Sequence, residues 1–180
     1  MRVITGSARG RRLRELEGLE TRPTTGKVKE ALFSVIQFDI EGRRVLDLFG
    51  GTGQLGIECL SRGAGQATFV DARTEATRLI RENLELTGLS DRARVLTADY
   101  ATVLSGAGEK YDLIFLDPPY QTKLLERSLN MISQFDILRE HGIIICESPV
   151  EKELPALDAP YGKHRDYRYG KIKVTLYRRN

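Results

Sequence analysis

The residues of this sequence that point most directly to chemistry are Asp117-Pro118-Pro119-Tyr120. Proline fixes φ at about −65° and lacks an N–H group, so this segment is expected to be rigid and to present acceptors only. An exocyclic amine of a nucleic-acid base is a weak nucleophile, because its lone pair is delocalised into the ring. The Asp117 carboxylate and the Pro118 carbonyl could accept its two hydrogens and orient the nitrogen for in-line attack.

Tyr120 adds a flat aromatic face to this segment. Bases that are flipped out of a helix or unpaired commonly stack on aromatic rings. On this interpretation the ring is what matters, and its hydroxyl is expected to be dispensable. We therefore predict that Asp117, Pro118, Pro119 and Tyr120 form the catalytic segment, at which a base amine is held for reaction.

A second motif covers residues 47–56 and contains G-x-G-x-x-G between a predicted strand and a predicted helix. Glycines allow the backbone to turn tightly and to approach a ligand closely. Asp71 follows Gly53 by eighteen residues, at the end of the next predicted strand, where it can accept hydrogen bonds from ribose hydroxyls. The candidate cofactor-binding residues of the motif itself are Asp47, Phe49, Gly50, Gly51, Thr52, Gly53 and Gly56.

The acids near this motif discriminate between two cofactors. A dinucleotide places its pyrophosphate at the helix N-terminus, where a preceding acid would repel it. Asp47 ends the strand before the glycines and suits the ammonium of a methionine moiety better. Asp99, after the third predicted strand, can accept a hydrogen bond from an adenine amino group. The sequence therefore predicts S-adenosylmethionine, with S-adenosylhomocysteine as its product, rather than NAD.

Strands and helices alternate along the chain at the spacing of βαβ units. Seven strands are predicted, at residues 44–49, 67–71, 93–98, 112–116, 142–147, 161–169 and 171–178. Helices are predicted from residue 26 to about 36 and at 54–62, 74–87 and 123–135. This pattern indicates an α/β fold with a mostly parallel sheet covered on both faces and one antiparallel strand near the end. Such sheets bind ligands beyond the carboxyl ends of their strands, where every motif above falls.

The two ends of the chain are basic and the middle is acidic. Residues 1–29 hold eight Lys or Arg against three acids, residues 161–180 hold seven against one, and residues 30–160 hold thirteen against twenty-one. Such asymmetry points to a polyanionic partner. The opening residues also predict a small basic hairpin with a glycine-containing turn. The candidate RNA-binding residues, expected to form one basic rim, are Arg2, Arg9, Arg11, Arg12, Arg22 and Lys27 with Lys163, Arg165, Arg168, Lys171 and Lys173.

Other features of the sequence narrow the class of protein. Cys59 and Cys146 lie in apolar surroundings and are expected to be small buried hydrophobes. The sequence has only two histidines, His141 and His164, in addition to these cysteines. No zinc-ligand spacing exists among them, and no metal is expected. The apolar runs are too short to span a bilayer, and the first residues do not resemble a secretory signal, so the cytoplasm is the expected compartment. A monomer is the default expectation.

Residues 47–56 and 117–120 together resemble the class I amino-methyltransferases that carry an Asp-Pro-Pro-Tyr motif. Nearly the whole chain resembles the RsmD family of 16S ribosomal RNA guanine-N2 methyltransferases. The similar segments are residues 1–4, 10–11, 21–25, 28–33, 60–64, 116–120 and 169–170. The resemblance implies a Rossmann-like fold and cofactor contacts from the glycine motif, Asp71 and Asp99, with the segment around Thr24 near the methionine end. Asp71 departs from the family, which often has Glu at the ribose position.

The resemblance also implies a domain organisation and a substrate. Residues 26–180 would form the methyltransferase domain and residues 1–25 a basic hairpin extension, within one globular unit. The expected reaction is methylation of a guanine N2 in small-subunit ribosomal RNA, either free or in the assembled subunit. Methylation of adenine N6 in DNA or RNA, of another exocyclic amine or of a glutamine amide, and a non-catalytic ribosome-binding role, remain alternatives. The short chain leaves little room for the separate target-recognition region that adenine-N6 DNA enzymes usually carry. Glutamine enzymes usually have Asn at the position of Asp117, and the intact tetrad argues against a non-catalytic role.

Overall fold

A computed structural model describes residues 1–17 and 25–180 of the chain. The strands are β1 Arg44–Asp47, β2 Gln66–Asp71, β3 Ala93–Thr97, β4 Tyr111–Leu116, β5 Leu138–Pro149, β6 Tyr161–Tyr169 and β7 Ile172–Arg179. The α-helices are α1 Gly26–Val35, α2 Gln54–Ser61, α3 Thr74–Thr87, α4 Tyr100–Ser105 and α5 Leu124–Phe135. Single 3-10 turns at Gln37–Asp39 and Ser90–Arg92 precede β1 and β3. None of the described helices is long and apolar enough to cross a membrane.

All seven strands form one sheet in the order β3-β2-β1-β4-β5-β7-β6. Strands β1 to β5 pair in parallel, and β7 is antiparallel to β5. Because β6 is antiparallel to β7, it points in the same direction as β5, and β7 is the one reversed strand of the sheet. The predicted α/β class with a single antiparallel strand is confirmed. The carboxyl ends of β1 to β6 therefore meet at one edge of the sheet, which we call the carboxyl edge.

Helices cover both faces of the sheet. On the first face, α1, α2 and α3 pack against the sheet in a core that includes Phe33, Leu60, Phe69 and Ile80. On the second face, α4 and α5 pack in a separate core through Leu104, Leu125, Leu129 and Ile132. Every residue of β4 is buried, as expected for a central parallel strand with helices on both sides.

The N-terminal segment, residues 1–17, packs on the first face through Val3, Ala8 and Leu13, which belong to the same core as α1 and α2. It is held in place by Glu58 of α2, whose carboxylate is fully buried. Glu58 accepts the backbone N–H groups of Ile4 and Thr5, at 2.9 and 3.0 Å. It also pairs with the Lys29 ammonium at 3.1 Å and with the Arg62 guanidinium at 3.0 Å. Burial lowers the pKa of Lys29, and the Glu58 charge opposes that shift.

Two local features differ from the sequence prediction. Helix α4 was not predicted, because it has only six residues and is followed by Gly106 and Gly108; Asp99 caps its N-terminus. The predicted N-terminal hairpin forms but is short: the Arg2–Arg12 bridge is flanked by backbone bonds from the Val3 N–H to the Arg11 carbonyl at 3.0 Å and from the Leu13 N–H to the Met1 carbonyl at 3.1 Å. Other backbone groups of this segment bond to side chains of α2 and α3. The acceptors and donors are Glu58, Ser61 and Asn83.

We expect Glu58→Gln to lower the free energy of unfolding by roughly 3–5 kcal/mol, because it leaves the Lys29 ammonium in an apolar interior without its counter-charge. The control is Glu15→Gln, which removes an exposed ion pair with the N-terminal ammonium at 2.9 Å. Such surface pairs contribute only about 0–1 kcal/mol. Urea denaturation of both variants tests this. Equal losses in the two variants would contradict a central role for Glu58.

Candidate functional site

The candidate site residues converge at the carboxyl edge because the strands that carry them are parallel. β1 lies between β2 and β4, which is the point where the order of strands reverses. Asp47 ends β1 and Asp71 ends β2, while Asp117 directly follows β4. Leu116 of β4 is paired with Cys146 of β5, so Asp117 and Glu147 follow this pair on neighbouring strands. Adjacent strands are about 4.8 Å apart.

The glycine motif forms a tight turn from β1 into α2. The Gly50 N–H donates to the Val70 carbonyl at 2.8 Å, and the Gly53 N–H donates to the Gly50 carbonyl at 2.7 Å. Gly53 has φ 82°, a left-handed conformation that glycine adopts without strain. At Gly56 a Cβ atom would lie 2.3 Å from the Phe69 ring, so only glycine allows α2 to pack this closely on β2.

Gly56 has a structural role in the turn. It is buried, and its N–H donates to the Asp47 carboxylate at 3.2 Å. Its backbone packs against β2 and its donor serves Asp47, while a contact between Gly56 and the cofactor stays a prediction. Gly51 and Thr52 are partly exposed on the outer side of the same turn.

Asp47 is only 2% exposed. Burial raises its pKa to about 7, the Gly56 N–H bond opposes this shift, and the nearby Asp71 charge adds to it. The carboxylate lies beneath the glycine turn. A carboxyl group with this pKa is about half ionised near neutral pH. A cation bound above the turn would therefore favour the ionised form of Asp47.

Asp71 has every hydrogen-bonding position of its carboxylate engaged. One oxygen accepts the Arg73 backbone N–H and Nε–H, both at 3.0 Å. The other accepts the Gly51 N–H at 3.1 Å and the Arg73 Nη2–H at 3.2 Å. A carboxylate offers about four lone-pair positions. Arg73, which sequence reasoning did not identify, thus covers the predicted ribose acceptor.

Asp99 is exposed and caps α4 by accepting the Ala101 N–H at 2.9 Å. The next residue, Tyr100, was not predicted as a site residue. Its ring lies 5.6 Å from that of Phe49, centroid to centroid, at an angle of 40°. Because Phe49 follows β1 and Tyr100 begins α4, these two half-buried rings place an apolar wall between the glycine turn and Asp99.

The Asp-Pro-Pro-Tyr segment joins β4 to α5. Asp117 is half-buried, Pro118 is buried, and Pro119 is exposed. The half-buried Tyr120 directs its hydroxyl to Glu147, donating to Oε1 at 2.6 Å. Glu147 was not predicted from the sequence, although it follows the buried run 143–146 as Asp117 follows β4. The sequence therefore contained the signal, an acid at a buried strand's carboxyl end.

The basic residues fall into separate groups rather than one rim. Lys173 is 1% exposed and its Nζ donates to the Lys152 carbonyl at 2.5 Å, so its predicted RNA-binding role is wrong. On β6, Arg165 lies on the first face with Tyr167 and Tyr169, and the two tyrosines pack against the core formed with α1, α2 and α3. The exposed Lys163 and Arg168 lie on the second face, opposite Tyr177 and Lys173 in the register.

The remaining basic residues lie on the first face or at the carboxyl edge. Arg9 is next to the segment bonded to Ser61, at the end of α2 that is remote from the carboxyl edge. Arg2, Arg11, Arg12 and Lys27 are exposed, and Lys171 is exposed in the turn between β6 and β7 at the carboxyl edge. Thr24 and Arg22, predicted to contact cofactor and RNA, lie outside the described residues. Within the described part of the chain, no group of three or more His, Cys, Asp or Glu residues could hold a metal ion.

Comparison with known proteins identifies relatives that match nearly the whole chain. The family model described as Conserved hypothetical protein 95 matches residues 1–178. YlbH of Bacillus subtilis, provisionally named as an rRNA methyltransferase, is 40% identical over 99% of both chains. Ribosomal RNA small subunit methyltransferase D of Escherichia coli strain K12 is 34% identical over 99% of this chain and 90% of its own length. The solved structure of yhhF from Escherichia coli, provisionally named as a methyltransferase, superposes with a TM-score of 0.89 at 35% identity and covers 100% of this chain and 98% of its own.

The raised pKa of Asp47 predicts a pH-dependent difference in stability. The folded state holds this proton up to a pH of about 7, whereas an unfolded Asp loses it near its ordinary pKa of 3.8. Asp47 thus contributes stability that is complete below about pH 4 and is lost as the pH rises through 7. Asp47→Asn, which stays neutral, should gain stability relative to the wild type over this range, by at most about 1.4 kcal/mol per pH unit.

The measurement is urea denaturation of the ligand-free proteins between pH 4 and pH 8. Asp136, whose pKa is lowered by bonds from Arg179, Lys110 and Tyr161, affects stability only in the acid range below this window. Asp136→Asn is therefore the control. A difference between wild type and Asp47→Asn that does not change with pH would show that Asp47 remains ionised when buried.

Proposed function

The chain belongs to the family described as Conserved hypothetical protein 95, the RsmD family, and from this premise we propose that it methylates the exocyclic N2 of a guanine in 16S ribosomal RNA. It is a methyltransferase with a class I fold, and its methyl donor is S-adenosylmethionine. The observation that carries the substrate proposal is the Asp-Pro-Pro-Tyr segment at the end of β4, beside β1 and its glycine turn.

The residues at the carboxyl edge have the chemistry that the methyl donor requires. S-adenosylmethionine supplies a methyl group on a positively charged sulfonium. The glycine turn presents backbone groups, and Asp71 can accept from ribose hydroxyls. Phe49 and Tyr100 offer apolar faces to an adenine ring, and Asp99 lies next to them as an acceptor for its amino group. Asp47 lies beneath the turn and stabilises a bound ammonium through its charge.

Asp117 and Pro118 would bind the amine that is methylated. The Asp117 carboxylate and the Pro118 carbonyl accept the two N–H groups, which turns the nitrogen lone pair out of conjugation and towards the methyl donor. As the N–C bond forms, the methyl–sulfur bond would break and release neutral S-adenosylhomocysteine. No proton needs to leave first, because the charged product nitrogen can lose its proton to Asp117 or to water afterwards. The role of these residues is therefore mainly positioning, which commonly accounts for several powers of ten in rate.

Ribosomal RNA would approach the carboxyl edge. The exposed Arg168 and Lys171 lie at that edge beyond Glu147, and Arg2 and Arg12 lie on the opposite side, near the glycine turn. Met1 contacts the Thr52 hydroxyl at 3.5 Å, which brings this end of the N-terminal segment to the turn. Basic groups on two sides of a pocket would contact phosphates flanking a base, without reading its identity.

The test is methylation of small-subunit RNA, and of small subunits, from cells that lack the corresponding gene. Labelled S-adenosylmethionine is the donor, and the nucleosides are separated by mass spectrometry. We expect N2-methylguanosine at one position. Asp117→Ala should reduce the single-turnover rate by a hundredfold or more, about 3 kcal/mol, and should leave the affinity for S-adenosylhomocysteine close to wild type.

The single-turnover rate of Asp117→Asn should fall between those of the wild type and Asp117→Ala, because its amide oxygen still accepts one hydrogen bond. N6-methyladenosine as the product would overturn the guanine assignment. A normal rate per folded molecule of Asp117→Ala, together with a lower melting temperature, would mean that the tetrad is a structural turn and not the catalytic segment.

Arg73 should compete with the ribose for Asp71. We expect Arg73→Gln to bind S-adenosylhomocysteine about twofold to fivefold more tightly, because a partly exposed ion pair of this kind costs at most about 1 kcal/mol to displace. Arg78→Gln is the matched control, since Arg78 lines the same surface cleft as Arg73, whereas the bonds to the Asp71 carboxylate come from Arg73 and Gly51. Calorimetry measures both affinities. Weaker binding by Arg73→Gln would mean that Arg73 supports the cofactor instead of competing with it.

A further inference from the structure

The Tyr120 hydroxyl gives the aromatic ring of the catalytic segment a fixed anchor. It donates to Glu147 Oε1 at 2.6 Å, a length typical of a hydrogen bond to a charged acceptor. Glu147 is 7% exposed, so this bond is largely shielded from water. Hydrogen bonds to charged groups are among the strongest single contacts in a protein. The ring is therefore held by its far end as well as by its backbone.

The anchor itself is rigid. Glu147 lies in β5, which pairs with β4 on one side and with β7 on the other. The Glu147 backbone is opposite Val174 of β7, and the following residue, Ser148, is fully buried. A side chain that begins in the interior of a sheet has little freedom compared with one in a loop. Glu147 can thus transmit the position of the sheet to the loop above it.

A second contact joins the same two parts of the chain. Lys152 Nζ donates to the Thr122 carbonyl at 3.2 Å, and the Thr122 hydroxyl donates to the Pro119 carbonyl at 2.8 Å. Lys152 is held in turn by Glu126 at 3.0 Å. The loop after β4 is thus fastened to β5 at Tyr120 and to the segment after β5 at Thr122. Of these two contacts, only the Tyr120–Glu147 bond holds an aromatic side chain next to Asp117.

We propose that Glu147 is a positioning residue for the substrate base: by holding the Tyr120 hydroxyl, it fixes the angle between the stacking ring and the Asp117 carboxylate. This inference rests on the proposed function, in which a base amine is bound at Asp117. A base that stacks on a ring and bonds to a carboxylate needs both groups in one geometry. A ring free to swing would still stack, but in many orientations that keep the amine away from its acceptors. The hydroxyl, expected from the sequence to be dispensable, then has a function.

The experiment compares Tyr120→Phe, Glu147→Gln, Glu147→Ala and the double variant Tyr120→Phe/Glu147→Ala in single-turnover methylation of small-subunit RNA. Tyr120→Phe keeps the ring and removes only the bond, and should reduce the rate at saturating RNA by about tenfold. Glu147→Ala should lose as much. Glu147→Gln retains an acceptor oxygen and should restore most of the rate. The double variant should be no slower than Glu147→Ala within about twofold, since both changes remove one interaction.

Glu151→Gln is the control for loss of a nearby negative charge, because Glu151 is exposed and should leave the rate unchanged. Affinity for S-adenosylhomocysteine and the melting temperature report whether each variant is folded. A wild-type rate for Tyr120→Phe would overturn the positioning role, and so would additive losses in the double variant. Failure of the proposed function is distinguishable, because Asp117→Ala would then also retain its rate.

Discussion

The Glu58 carboxylate, buried at the centre of the first face, connects the elements that surround the glycine turn. It accepts from the N-terminal segment at Ile4 and Thr5, from α1 at Lys29 and from the end of α2 at Arg62. A charge in an apolar interior is tolerated only when its lone pairs are satisfied, so these donors cannot be removed one at a time without cost. The direction of α2, and with it the position of the glycine turn at its start, is thereby fixed relative to α1 and residues 1–17.

The acids at the carboxyl edge differ in role because they differ in burial and in partners. Asp47 is shielded from water and its pKa is raised to about 7, so its charge depends on what binds above it. Asp71 forms a bidentate pair with Arg73 and must exchange that partner for any ligand. Asp99 is exposed, and one of its oxygens is used in a helix cap. Asp117 is half-buried at the start of a proline-stiffened turn. One residue type thus occupies four different environments at this edge of the sheet, and these environments suit the four different roles proposed for the acids.

The sequence alone predicts the sheet and the location of the site, because both depend on short-range patterns. Apolar runs of four to six residues that end in Gly or Asp indicate buried strands, and parallel strands must bring their ends together. Contacts between side chains distant in the sequence could not be predicted. The sequence places Arg73 next to the start of a predicted helix, and only the structure shows that its guanidinium bonds to Asp71. The sequence around Lys173 is typical of an exposed basic residue. Its buried ammonium bonds to the carbonyl of Lys152, which lies in another segment, so this contact could not be predicted.

The arrangement of the basic residues could not be predicted for the same reason, and it bears on how RNA would bind. Charge counts place cations at both ends of the chain, but strand alternation sends Arg165 and Arg168 to opposite faces of β6. Only groups near the carboxyl edge can contact phosphates that flank a base at Asp117. Arg168 and Lys171 meet this condition on one side, and the Met1 end of the N-terminal segment meets it on the other. Arg9, at the remote end of α2, would need a second, distant stretch of RNA. A folded ribosomal substrate supplies such a stretch and a short single strand does not, so the spread of these charges favours a structured RNA.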